Sequence, residues 1–246
     1  MSKYYMGVQI EAENVKVAML DHRGHYLHFV EEPVERHTPD DMAAMVARKV
    51  WHLVEFRRAG IDDVTGVGIT LDGDIDFYGG LVREFAPFDW QGVELAGMVA
   101  DRLKKQVFID TYLNGAALAE MWLGAGWGQR NMLLVDFRSD QLNFRYIENG
   151  RLVRGKSGCR PVTAEHVDLN NRVEWLLPML ENLAPEIEPG LIVLQGLAKL
   201  EDKSFWSQLK QAWQPNSGSG RPELLPAELG AEGPLFGGAA LVKTEL

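Results

Sequence analysis

The apolar residues of this chain change period from two to 3.6 and back in the same order twice, and few folds accommodate that order. Met6 to Ile10, Val15 to Leu20 and Tyr26 to Val30 read as three strands of a meander, with Val15, Val17 and Met19 on one face and a turn at Asp21-His22-Arg23-Gly24. A helix is predicted next. Thr38 caps it, Pro39 takes its first position, and Asp40 and Asp41 favour its positive end. Met42, Met45, Val46, Val50 and Val54 recur at helical spacing, with Gly60 expected to close the element. Val64 to Leu71 reads as a buried strand. Gln91 to Lys104 reads as an amphipathic helix with Leu95, Met98, Val99 and Leu103 inward, followed by a strand from Gln106 to Ile109 and a helix from Leu113 to about Leu123.

The second cycle repeats the first. Met132 to Phe137, Leu142 to Glu148 and Leu152 to Gly155 form a second meander, with Asn149-Gly150 as its hairpin turn. Asn171 to Leu183 carries a helical stripe of Val173, Leu176, Leu177, Leu180 and Leu183. Leu191 to Leu194 is a short buried strand, Lys203 to Trp213 a helix, Pro215 to Pro222 a surface loop, and Leu235 to Val242 a closing helix. The order predicts an α/β protein of two lobes, residues 1–112 and 113–234, with a terminal helix at about 235–246 packing back on the first.

Composition removes several function classes. Thirty-five acidic against 25 basic residues give a net charge of −10, which disfavours direct contact with nucleic acid or an anionic membrane. The single cysteine, Cys159, excludes an internal disulfide and a multi-cysteine metal cluster, and reads as a small buried apolar residue. No run approaches the ~18 apolar residues of a membrane span, and the N-terminus lacks the apolar run of a signal peptide. A cytoplasmic location is expected.

The stretch from Phe108 to Gly128, FIDTYLNGAALAEMWLGAGWG, resembles the signature NDANAAALAEYWFGAG of the ROK family (repressors, open reading frames and kinases). Asn114, Ala116, Ala117, Leu118, Ala119, Glu120, Gly124 and Gly126 keep its frame. The resemblance implies a two-lobed actin-like ATPase (ribonuclease H-like) fold, with mixed five-stranded sheets flanked by helices. It also implies a general base, an Asp in the family, at the position held here by Tyr112. The family's first phosphate loop, GIDIGGTKI, corresponds to GVQIEAENV from Gly7. Gln9 replaces the Asp that helps hold the metal–phosphate complex, and Glu11 and Ala12 replace two glycines. Glu11 and Glu13 then bring two carboxylates to the place of the triphosphate, which disfavours ATP. The second loop, LGTGIGAG in the family, reads FRSDQLNFR from Phe137 to Arg145 without a glycine, and Arg138 and Arg145 are expected as salt-bridged surface arginines.

The sugar-binding segments differ as well. The family's GIGIPGPVD reads GVGITLDGDID from Gly66 to Asp76, and the Asn of PNLPGW has no counterpart in EFAPFDW. The segment GEIGH, which supplies a sugar-binding Glu and a zinc-binding His, falls on Pro161 to Glu165, leaving His166 one place away as a weak metal candidate. Gln195-Gly196-Leu197 keeps one glycine of the nucleotide-facing turn.

The residues themselves supply the competing readings. Asp110 is the fallback for a displaced base, against the simpler role of ending a strand or capping a helix, and Asp136 is a weaker fallback. Asn114 is expected to hold its loop through backbone bonds. His22, His25 and His28 resemble a metal box, but a turn followed by a strand puts His25 and His28 on opposite faces. Trp122, Trp127, Trp206 and Trp213 fit either a core or an aromatic contact surface such as that of a homodimer. The expectation is a catalytically inactive ROK-like protein with a binding, scaffolding or regulatory role, without cofactor or metal, and with a protein or a sugar-like ligand as partner. The alternatives are a sugar kinase with a rearranged site, or a small-molecule sensor whose interlobe cleft is lined by Gln9, Tyr112, Asn114 and His166.

Overall fold

A computed structural model describes residues 3–35, 37–137, 143–154, 172–196, 203–213 and 221–246, without the side chains of residues 172, 175 and 183–187. The first sheet begins with β1 (Tyr4–Ile10), β2 (Asn14–Asp21) and β3 (Tyr26–Pro33), an antiparallel meander. Helix α1 (Pro39–Phe56) starts at Thr38, whose hydroxyl accepts the Asp41 N–H, with Pro39 in the first turn as expected. Its buried stripe, from Met42 to Val54, packs on the meander. Gly60 does not close it. Arg58 takes the left-handed conformation (φ 52°) where the chain leaves the helix, and Gly60 instead precedes a 3-10 turn over Ile61–Asp63, its N–H held by Asp63 Oδ2 at 2.9 Å. β4 (Val64–Leu71) then pairs parallel to β1.

The next segment departs from the expected long helix. β5 (Asp74–Asp76), β6 (Leu81–Phe85) and β7 (Trp90–Val93) make a small three-stranded antiparallel sheet. Helix α2 (Leu95–Leu103) is shorter than predicted, because residues 90–93 pair with β6 and Gly92 takes φ 64°. Helical spacing of Leu95, Met98, Val99 and Leu103 was correct; its extension toward Gln91 was not. β8 (Val107–Thr111) closes the first sheet, ordered β3-β2-β1-β4-β8, and leads into α3 (Tyr112–Leu123).

The second sheet is ordered β11-β10-β9-β12-β13, from β9 (Met132–Asp136), β10 (Asn143–Glu148), β11 (Arg151–Leu152), β12 (Leu191–Gln195) and β13 (Glu223–Pro226). Asn149 (φ 52°) and Gly150 (φ 77°) form the β10–β11 turn, as an Asn-Gly pair predicts. β13 was not anticipated; it pairs parallel to β12 at the sheet edge. Helices α4 (Arg172–Ile187) and α5 (Lys203–Ala212) cover the face carrying Leu133, Val135, Ile192 and Leu194. The other face, with Met132, Leu134 and Val193, meets α3 and the last helix, α6 (Gly233–Glu245).

α6 also lies on the first sheet, on the side opposite α1 and α2, at backbone contact distance. A Cβ on Gly238 would fall 2.3 Å from the Gly68 carbonyl oxygen, and one on Gly237 would fall 2.2 Å from the Gly115 carbonyl carbon in α3. Absent side chains let three elements cross here with their backbones touching. No helix among the described residues is long and apolar enough to cross a membrane.

Candidate functional site

One rung of the first sheet is polar across all five strands. Cα pairing sets Glu31 beside Lys16, Lys16 beside Gln9, Gln9 beside Thr70, and Thr70 beside Asp110. Directly paired residues share a face. Val8, Ile69 and Ile109, the residues just before the rung on the parallel strands, are in the core under α1 and α2, so the rung faces α6. It lies near the carboxyl ends of β1, β4 and β8, the edge where open α/β sheets receive ligands. The Thr70 hydroxyl is 2.9 Å from the Pro234 carbonyl at the start of α6 and 3.3 Å from that of Val8.

The β1–β2 hairpin beside the rung is self-contained. The Glu11 N–H donates to the Asn14 carbonyl at 2.9 Å, and no residue from 11 to 13 has a positive φ, so the tip has none of the left-handed turns from which backbone anion cradles are built. Gln9 is buried and donates through Nε2 to Glu11 Oε1 at 2.7 Å, while Glu11 Oε2 takes Lys16 Nζ at 3.1 Å. Glu11 is therefore neutralised by Lys16, not left as a bare charge, whereas Glu13 is exposed.

At the other end of the rung Asp110 is the hub of a buried network. Its Oδ1 accepts the Thr111 N–H at 2.7 Å and Asn114 Nδ2 at 2.6 Å, and its Oδ2 accepts Arg154 Nη2 at 2.9 Å and Nε at 3.2 Å. Burial pushes the Asp110 carboxyl above its ordinary value, opposed first by the Arg154 guanidinium and then by Asn114 and the Thr111 N–H. Arg154 also stacks 3.6 Å over the Phe77 ring and reaches Glu245 Oε1 at 3.2 Å. Arg145, from β10 of the other sheet, donates through Nε to Asn114 Oδ1 at 2.5 Å. Two arginines associated with the second sheet thus brace the β8–α3 corner of the first. Tyr112, half-buried, is the first residue of α3.

In the second sheet Asp136 is buried opposite Gln195, whose Nε2 donates to its Oδ1 at 3.1 Å, and Gly196 follows with φ 83°. Near the small sheet, Asp76 accepts the Gly79 N–H at 3.1 Å and Arg83 Nη2 at 3.0 Å. Phe88 and Trp90 belong to the core beside Phe85, and the Trp90 indole donates to the His37 carbonyl at 3.0 Å.

The ROK family model matches residues 5–173. The chain belongs to the ROK family. Among curated relatives, a glucokinase from Halalkalibacterium halodurans is 27% identical over 160 residues, 63% of this chain and 47% of the relative. A xylose repressor from Caldicellulosiruptor bescii is 32% identical over 95 residues, 39% of this chain and 24% of the relative. The matched region is thus less than half the length of either. A ROK hexokinase from Thermus thermophilus superposes with a TM-score of 0.78 at 20% identity, covering 98% of this chain and 97% of that one. A ROK family transcriptional regulator, a homologue of E. coli MLC, gives 0.75 at 14% identity, covering 98% and 78%. The protein has the α/β fold of mixed sheets that ROK sugar kinases share, the actin-like ATPase fold, and its relatives include both sugar kinases and transcriptional regulators.

Several sequence readings are corrected by the geometry. Thr111, not Asp110, caps α3, its hydroxyl accepting the Asn114 N–H at 3.3 Å. The Asn114 side chain donates to Asp110 Oδ1 and accepts from Arg145 Nε. Arg145 is a buried residue and not a surface arginine. The four tryptophans divide: Trp213 is buried with its indole donating to the Pro222 carbonyl, Trp122 and Trp206 are half-buried, and Trp127 is 78% exposed. His25 pairs with Asp21 at 2.9 Å while His28 stacks on Phe56, and no described residues group as three or more metal-ligating side chains. Arg138, Cys159, Pro161 to Glu165, His166 and Leu197 lie outside the described residues.

Arg154 and Thr70 were missed in the sequence. Thr70 sits inside the apolar strand Val64–Leu71, where a lone hydroxyl is the signal. Arg154 follows the last paired residue of the second meander and carries no local signal.

Proposed function

We propose that this ROK protein does not transfer phosphate and acts by binding, as a scaffold or regulator. The observation that carries the reading is the engagement of Asp110. Both of its oxygens are bonded within the protein, to Arg154, Asn114 and the Thr111 N–H, so the carboxylate at hand to replace the missing base at Tyr112 already holds the β8–α3 corner. A general base needs an accessible lone pair within reach of the hydroxyl it deprotonates. The first hairpin supports the same reading: the Glu11 amide is bonded to Asn14, Lys16 to Glu11, and Glu13 adds an exposed carboxylate, a poor fit for Mg–ATP. The regulator-like and kinase-like relatives make a sugar the first small-molecule ligand to test. Within this reading, residues 1–112 and 113–234 are the two lobes and α6 joins them; Trp127 is the side chain that a second copy or a protein partner would cover.

Calorimetry with ATP and ADP plus magnesium, together with an ADP-release assay on glucose and xylose, tests the proposal. The expected result is neither magnesium-dependent nucleotide binding at millimolar concentration nor turnover. Turnover that disappears in Asp110→Asn would replace this reading with a kinase using a displaced base.

A further inference from the structure

A pocket of about 540 Å³ opens between the β1–β3 meander and the start of α6, a volume suited to a small organic molecule. Three aromatic rings wall it. Tyr26 lies 5.9 Å from Phe236 at 64° and 6.4 Å from Phe29 at 46°, and Tyr26 and Phe29 are 49% and 41% exposed. The Glu31 and Glu232 carboxylates stand at its rim, exposed and, among the described residues, without a hydrogen bond or ion pair. Lys16 also lines it, but its ammonium is bound to Glu11 at 3.1 Å, so two carboxylates remain uncompensated.

The wall also offers a buried acceptor. Gln9 lines the pocket, is 1% exposed, and has its Nε2 fixed on the Glu11 carboxylate, which can only accept. That bond settles the amide orientation and leaves Gln9 Oε1 buried without a donor among the described residues. A buried acceptor without a partner is costly, so a ligand that donates to it gains more than one that does not. Burial, and then the Glu232 charge, push the Tyr26 phenol above its ordinary value.

We infer that this pocket binds an organic ammonium ion bearing at least one N–H, its alkyl part against the rings and its N–H groups toward Gln9 Oε1. Aromatic faces and unpaired carboxylates both attract a cation and repel an anion. An inorganic cation has too few ligands there, with one amide oxygen and two exposed carboxylates. The inference concerns a different ligand from phosphoryl transfer and does not rest on its absence.

The test titrates the full chain, at constant ionic strength, with n-butylammonium, n-butyltrimethylammonium and 1-butanol, by calorimetry and saturation-transfer NMR. n-Butylammonium is expected to bind most tightly, the quaternary ion more weakly because it cannot donate to Gln9, and the alcohol not measurably. Glu232→Gln and Tyr26→Leu are each expected to weaken n-butylammonium roughly two- to fivefold. The surface change Glu148→Gln, away from the pocket, should leave it unchanged. Alcohol binding equal to that of the amine, a quaternary ion that binds as well as n-butylammonium, or an equal loss in Glu148→Gln would each overturn the assignment.

Discussion

Replacing Arg154 by Met isolates the ion pair that holds the β8–α3 corner. Arg154 and Asp110 have side chains 9% and 1% exposed, with Nη2 and Oδ2 2.9 Å apart. Met keeps much of the aliphatic volume beside Phe77 but removes the charge, leaving a carboxylate in the interior with two N–H donors and no counterion. Breaking a buried pair from one side costs about 3–5 kcal/mol. For a chain of this length that corresponds to a fall in Tm of roughly 10 °C. The pH dependence gives a second reading of the same cause. Burial already raises the folded Asp110 value above its ordinary one, and Arg154 is the largest force opposing it. A carboxyl with a raised folded value contributes stability that is complete below the unfolded value and is lost as pH rises through the folded one. Without Arg154 the folded value moves higher still, so the Arg154→Met deficit should be larger at about pH 8 than at about pH 4. Asp110→Asn added to Arg154→Met should abolish that pH-dependent part and recover a portion of the loss. Urea unfolding followed by both tryptophan fluorescence and circular dichroism measures each term. A deficit under about 1 kcal/mol, or one equal at the two pH values, would refute the account of Asp110 as a structural hub.

The glycine contacts of α6 make a paired test. Gly238→Ala sets a Cβ 2.3 Å from the Gly68 oxygen and 2.9 Å from the Val8 nitrogen, both backbone atoms, so α6 must lift and about 3 kcal/mol should be lost. Gly97→Ala, in α2 with no atom beyond its own helix backbone within 4 Å of the new Cβ, should be neutral or stabilising by up to about 1 kcal/mol in the same unfolding assay. Glu120 is fully buried and accepts the N–H groups of Ala125, Glu228 and Leu229; Glu120→Ala should cost about 3 kcal/mol and speed hydrogen exchange at those three amides selectively. Lys49, bonded to Glu32 at 2.7 Å, is the first cause holding the Glu32 carboxyl below its ordinary value, followed against burial by the charges of Lys49, Arg48 and His37. A depressed carboxyl contributes stability above the unfolded value that is lost as pH falls through the folded one. Lys49→Met should therefore flatten the acid limb of the stability profile, with a modest amplitude because Glu32 is partly exposed.

The legible parts of the fold are those where one physical requirement dominates. β1, β2 and β4 are almost wholly buried, so their apolar residues announce them, and the Asn149-Gly150 pair has the positive φ values its turn demands. β13 was hidden because Glu223-Leu224-Leu225-Pro226 is four residues long and is made a strand by its pairing with β12, a distant partner. β7 was hidden inside a helical pattern: Leu95, Met98, Val99 and Leu103 do form a helix, but Gly92 and the pairing with β6 end it at Leu95. The site was harder to read. Arg145 looks like a surface residue by type, yet strand alternation puts it on the side of Ile147, facing α3, and away from Phe144 and Tyr146, which pack under α4 and α5. That signal was present and outweighed by the usual exposure of arginine. The Arg154–Asp110 pair spans 44 residues and the two sheets, and no local pattern anticipates it.

The same contacts explain how the ROK frame of residues 108–128 can be kept with Tyr112 at the position where the family resemblance expects an Asp. Asn114 joins Asp110 to Arg145. Ala116 and Ala117 fill the helix interface without lifting it, and Glu120 binds the loop between β13 and α6. A Cβ on Gly124 would strike Glu120 Oε2 at 2.2 Å, and one on Gly126 would strike Met132 Sδ at 2.6 Å. Each matched position is fixed by packing or by a buried polar contact that acts whether or not a phosphoryl group is transferred. Tyr112 stands at the first turn of the helix, half-buried. Likeness in this stretch therefore reports on how α3 and α6 are held between the two sheets. The chemistry of the chain has to be read from the groups that face the rung from Glu31 to Asp110, and those groups are engaged with one another at the Asp110 end and open to a cationic ligand at the Glu31 end.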